Sequence, residues 1–182
     1  LPICKIAPLL VSGSWVGWLM DELNKMLPSR FRYEYLENMP ENEAEELVYK
    51  FSRTFDVPVT EEIAYLMIEI AEGSPFYISS IIDSRYRDKD LTTVKGLTGT
   101  LEFETLDDRG LIKTTWMEYM AKAFPKINDR NAKNIVLHLS KHRDREWTRQ
   151  EILDALELDM TDSELEKKLK ALVKTDIINQ GS

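Results

Sequence analysis

GSPFYI, residues 73–78, sits between TEEIAYLMIEIAE, residues 60–72, and SSII, residues 79–82. Thr60 is a good N-cap, and Glu61 and Glu62 suit the positive end of a helix. Ile63, Leu66, Met67 and Ile70 recur at helical spacing and are expected to face a core. Gly73 allows the turn that ends this helix. Pro75 suits the first turn of the next, where a missing N–H costs nothing. Phe76, Ile78, Ile81 and Ile82 are then that helix's apolar side. The corner is either a joint between helices or a place where backbone meets ligand.

Upstream, MPENEAEELVYKFSRTF, residues 39–55, places Pro40 and acidic residues at a helix start, with Leu47, Val48, Phe51 and Phe55 as its expected buried stripe. Three helices with short connections result. Before them, PLLV, residues 8–11, followed by Ser12-Gly13-Ser14, suits a buried strand and tight turn. Val16, Leu19, Met20, Leu23 and Leu27 then keep helical spacing until Pro28. Phe31, Tyr33 and Tyr35 alternate as in a short strand over residues 31–39.

Downstream, residues 85–96 read as a charged connection. Residues 97–124 read as two helical pieces broken near Asp107–Gly110, the second with Trp116, Met117, Met120 and Phe124 on one stripe. The tail is the clearest part. NAKNIVLHLSKH, TRQEILDALEL and TDSELEKKLKALVKTD are helical, Thr148 and Glu151 have capping-box spacing, and Thr161 or Asp162 caps the last helix. Its expected buried side is Leu165, Leu169, Leu172 and Val173. With REWT and DIIN extended, the order is that of a winged helix whose wing is truncated.

Composition narrows the function. The 182 residues carry 24 basic and 32 acidic side chains, net −8, which excludes a surface basic throughout. Residues 129–182 carry 10 basic and 11 acidic side chains, so the tail is less acidic without being basic. Cys4 is alone and forms no internal disulfide, favouring a cytoplasmic origin. No apolar run reaches membrane-spanning length, and LPICKIAPLLV lacks the features of a signal peptide. Without an initiator Met, the start reads as the interior of a longer protein.

The combination of LLVSGSWVGWL, SRF, a Tyr-Leu-Glu-x-Met-Pro-x-x-Glu-Ala run, EGSPFYI and a winged helix resembles the archaeal-type ATPases of the STAND branch of AAA+ P-loop NTPases. The resemblance spans nearly the whole chain and rests on order and spacing. It implies a mainly α chain: the remnant of an α/β ATPase core over residues 1–33, a helical lid over 34–88, linker helices over 89–128 and the winged helix over 129–182. It also implies sensor roles for Ser12 and Ser14, a place for Arg30 (a better match than Arg32) at the core-to-lid passage, and contact of the Gly73–Pro75 corner with adenine. On that reading Gly73 and Pro75 matter more for nucleotide than for folding.

The chain departs from that family where phosphate chemistry requires most. A P-loop needs Gly-Lys-Ser/Thr, and none of the seven glycines is followed by Lys. Asp21-Glu22 follow apolar residues at helical spacing, unlike a metal-holding strand end. The chain is thus expected to be the C-terminal part of an ATP- and Mg²⁺-dependent switch, inactive and cofactor-free alone, with an upstream P-loop core of the same protein as partner and no membrane. The alternative is a non-enzymatic winged-helix regulator binding DNA or a protein. Lys167, Lys170 and Lys174, with Lys168 beside them, make the stripe that would meet phosphates, diluted by Glu164 and Glu166. His138 and His142 have the spacing of a metal pair but lack further ligands, and no catalytic triad or Cys-His pair has supporting context.

Overall fold

The computed structural model describes residues 16–26, 37–127, 130–175 and 177–178, and these are helical with irregular connections and no strand. Ser12, Ser14, Arg30 and the expected strand at 8–11 lie outside the described residues, as do residues 31–36 of the strand expected over 31–39, whose residues 37–39 are irregular. The helices are α1 (Val16–Met26), α2 (Glu41–Phe55), α3 (Glu61–Ala71), α4 (Pro75–Ile82), α5 (Val94–Leu106), α6 (Leu111–Ile127), α7 (Arg130–Lys141), α8 (Arg149–Ala155) and α9 (Asp162–Lys174). No helix among the described residues is long and apolar enough to cross a membrane. The chain divides into two compact units, Glu34–Ala121 and residues 1–33 with 122–182.

In the first of these units, α2 packs on α4 and α3, and α5 packs on α3 and α4. Ala44 and Val48 of α2, Ile63, Ala64, Met67, Ile68 and Ala71 of α3, and Ile78, Ile81 and Ile82 of α4 form one core with Leu91 and Leu97. The core therefore crosses the expected lid–linker division at residue 88. Three expected core residues lie outside it: Phe55, Ile70 and Phe76 are 38%, 53% and 37% exposed. Phe55 ends α2 and lies against Phe51, ring centroids 5.7 Å apart. In α3, apolar residues cover most of the circumference, so spacing alone does not choose a face. The small side chains of Ala64 and Ala71 turn inward where neighbouring helices approach, and Ile70 turns out.

Glu104 joins α5 to α6 from within. It is 2% exposed, accepts the Ser84 hydroxyl at 2.6 Å, and accepts the Leu111 N–H at 2.7 Å and the Ile112 N–H at 3.4 Å. It thereby caps the positive end of α6 with a carboxylate. Below it, the Lys89 ammonium donates to the Ile82 and Ser84 carbonyls at 2.7 and 2.9 Å.

In the other unit, α9 packs on α8, α7 and α1. Ala132, Ile135, Ile152, Leu165 and Leu172 form its core, bordered by Trp147, Leu169 and Ile177. Of the expected α9 stripe, Leu165 and Leu172 are fully buried, while Leu169 and Val173 are half-buried. Capping boxes start α8 at Thr148 with Glu151 and α9 at Thr161 with Glu164. Of the expected extended pieces, the described residues 145–148 and 177–178 are irregular, and residues 176 and 179 lie outside the described residues. The described tail is three helices without a wing.

Replacing Glu104 with Ala removes the acceptor from two backbone N–H groups and a buried hydroxyl. It should cost about 2–3 kcal/mol, and Glu104→Gln, which keeps an acceptor oxygen and the shape, less. Urea unfolding followed by far-UV circular dichroism checks the ordering.

Candidate functional site

The corner at residues 71–75 is built almost wholly from backbone. Glu72, the C-cap of α3, is left-handed at φ 50°, and Gly73 follows at φ 71°. The Gly73 N–H donates to the Ile68 carbonyl at 3.1 Å, and the Ser74 N–H donates to the Ala71 carbonyl at 2.8 Å. The buried Gly73 carbonyl accepts the Met39 N–H at 3.0 Å. A Cβ on Gly73 would lie 2.2 Å from the Met39 carbonyl oxygen. Only glycine meets both demands, a positive φ and contact with another backbone.

Pro75 is different. It is the first residue of α4 and is exposed. Neighbouring polar groups are turned inward along the helix: the Ser79 and Ser80 hydroxyls both donate to the Phe76 carbonyl, at 3.0 and 2.7 Å. Gly73 therefore has a structural role of its own, because the chain leading into α2 rests on it. The Pro75 ring is exposed at the start of α4.

The lysine stripe on α9 lies among carboxylates. The Lys170 ammonium is 2.7 Å from a Glu166 oxygen, and the Arg149 guanidinium reaches Glu166 at 2.9 Å and Asp162 at 3.2 Å. The hydrogen bond from Lys170, then its charge and that of Arg149, lower the Glu166 carboxyl below its ordinary value. The Glu164 carboxyl is lowered too, first by the Thr161 backbone N–H it accepts as the second half of the capping box. Lys167 and Lys168 line an open cleft of about 460 Å³ with Asn131, Asp159, Met160, Glu164 and Ala171. Its rim is of mixed charge, unlike a phosphate-tracking groove.

The histidine pair belongs to an aromatic cluster. The His138 and His142 ring centroids are 4.8 Å apart, and Trp147 lies edge-on to His138 at 4.5 Å. The Trp147 indole N–H donates to the His142 carbonyl at 3.2 Å, and the Arg145 guanidinium stacks on its ring at 3.7 Å. Arg145 also pairs with Glu151 at 2.7 Å. Together with the Thr148 groups, that contact lowers the Glu151 carboxyl to about 2. Among the described residues no three His, Cys, Asp or Glu side chains gather as a metal site would require. Comparison with known proteins returns no family model, no curated protein and no solved structure that matches the chain.

Sequence reading placed the Gly73–Pro75 helix joint and the Thr148–Glu151 capping box, and gave Thr161 or Asp162 as the cap of α9, of which Thr161 is the N-cap with its own capping box to Glu164. It missed the buried carboxylate of Glu104 and the bond from the Trp116 indole N–H to the Tyr77 hydroxyl at 2.9 Å. Glu104 carries a partial signal, an acid flanked by Phe103 and Thr105 shortly before a Gly turn.

Gly73→Ala should destabilise the chain by about 1–3 kcal/mol from backbone conformation alone, with displacement of Met39 added. Pro75→Ala should cost only about 0.4–1 kcal/mol, through the unfolded chain. Equal costs in denaturant titrations would contradict the division of roles.

Duplex DNA should bind weakly, without sequence preference. Its log–log salt slope is about −3 to −4 if all four lysines meet phosphates, and shallower if Glu166 retains Lys170. Fluorescence anisotropy across a salt series measures the slope.

Proposed function

We propose that the chain is the lid and winged-helix region of an ATP-binding STAND-type AAA+ switch whose P-loop core and Mg²⁺ site lie outside residues 1–182. The observation that supports this reading is the asymmetry of the Gly-Ser-Pro corner. Gly73 fixes the backbone against Met39, and Pro75 stands exposed at the start of α4. A rigid apolar ring at a pinned corner suits one side of a flat base, since it loses no side-chain freedom on binding. The exposed ring and the absence of Gly-Lys-Ser/Thr divide the labour: this chain contributes the adenine side, and a separate core contributes the phosphate side. In this reading, nucleotide state sets the position of the lid and the tail follows.

The competing reading, a winged-helix regulator of DNA, calls for cations held toward phosphate. The pairing of Lys170 and Arg149 with Glu166 argues for internal use of those charges.

The test uses the natural gene product that contains this chain. Pro75→Ala should weaken ATP by about 1–2 kcal/mol, roughly the burial of a small apolar side chain, or about five- to thirty-fold in affinity. The isolated 182-residue chain should show no ATP turnover. A gene product without Gly-Lys-Ser/Thr, or one whose ATP affinity ignores Pro75→Ala, leaves the corner as a helix joint only.

A further inference from the structure

The unit Glu34–Ala121 carries an open apolar groove of about 590 Å³. α3 contributes Ile70, α4 Tyr77, α5 Leu101, and α6 Trp116, Met117 and Met120. Three of these side chains are large, apolar and well exposed: Ile70 at 53%, Trp116 at 39% and Met117 at 62%. They come from two helices and share one depression, so they form a patch instead of scattered surface residues. One wall is fixed by the Trp116 indole N–H, which donates to the Tyr77 hydroxyl oxygen. Met117 and Met120 also line it and adapt to an occupant's shape.

The electrostatics point to the occupant. Residues 34–121 hold 19 acidic and 8 basic side chains, net −11, so this unit is more acidic than the whole chain. α3 contains Glu61, Glu62 and Glu69 and no basic residue, and α4 contains no charged side chain at all. The exposed Glu69 and Glu102 adjoin the groove residues Ile70 and Leu101 in sequence. Lys113 lines the groove, but its ammonium donates to the Leu106 carbonyl at 2.6 Å and to Asp108 at 2.8 Å. The groove residues Ile70 and Ala71 lie in the last turn of α3, and Leu101 and Thr105 near the end of α5. The C-terminus of α3, the negative end of its dipole, therefore flanks it, while at the end of α5 the Lys113 ammonium already meets the Leu106 carbonyl. The positive end of α6 is already met by Glu104.

We propose that this groove docks a basic amphipathic helix of a protein partner, with its apolar face on Ile70, Trp116 and Met117 and its Lys or Arg flank toward the exposed Glu69 and Glu102 and the C-terminus of α3. An apolar groove walled by several helices, in a unit of net charge −11, is the complement of such a segment. The geometry makes it a site of recognition with no chemistry of its own.

The full 182-residue chain is titrated into a fluorescein-labelled 14-residue peptide of Leu and Lys patterned as an amphipathic helix. A Leu/Glu peptide of the same pattern and a scrambled Leu/Lys peptide serve as controls. The Leu/Lys helix should saturate, and both controls should bind at least about tenfold more weakly. Ile70→Ser and Met117→Ser should each weaken it about tenfold, the order expected for losing a buried apolar side chain. Tyr65→Ser, which alters an exposed α3 residue that does not line the groove, should leave it unchanged. Both groove positions are more than half exposed, and thermal melts verify that each variant stays folded. Equal binding of the scrambled peptide, or equal loss in Tyr65→Ser, reduces the effect to attraction by an acidic surface and overturns the proposal. So does the absence of binding. A dimer of the chain that dissociates on Met117→Ser assigns the groove to a second copy and overturns it as well.

Discussion

The meeting of Gly73 with Met39 holds the first helical unit in register. One hydrogen bond, Met39 N–H to the Gly73 carbonyl, joins the approach to α2 to the end of α3. It forms because Glu72 and Gly73 are both left-handed, which turns the chain back sharply enough for α4 to start two residues later. α2 can then lie along α4, its largest contact. Ala44 and Val48 of α2 share one core with Ile78, Ile81 and Ile82 of α4. Gly110 is also confined by backbone, at the α5–α6 turn, where a Cβ would lie 2.4 Å from the Glu104 carbonyl oxygen.

Different forces organise the two units. Glu34–Ala121 is built around a continuous aliphatic core and one internal carboxylate. The tail has a smaller core, and its helix starts are secured by side chains: two capping boxes, an Arg145–Glu151 pair and an Arg149–Glu166–Lys170 chain of charges. Such exposed pairs add little stability singly, but they fix which carboxylates and cations face each other. On α9, Glu166 engages Lys170 of the lysine stripe, while Lys167 and Lys168 line the open cleft.

The switch reading and the docking groove are compatible in physical principle. A lid that changes position with nucleotide needs surfaces that other elements can reach, and an unpartnered apolar groove is one. The strongly acidic character of the unit limits what can occupy it. Neither reading requires a catalytic group in this chain.

Local chemistry determined much of this protein from sequence. Helix starts at Thr60, Thr148 and Thr161, the break at Asp107–Gly110 and the Gly73–Pro75 joint follow from caps, dipoles and fixed φ, which act within a few residues. The mainly helical character follows likewise. Tertiary structure alone decided which face of α3 is buried, because a helix apolar around most of its surface has no preferred side until neighbours select small residues for close approach. It also decided that Glu104 is internal, since the partners that compensate its burial, Ser84 and the N–H groups of Leu111 and Ile112, come from elsewhere in the chain. The exposure of Ile70 and Met117 was settled in the same way: hydrophobicity says that a side chain prefers burial, and only the arrangement of helices says which ones are left over.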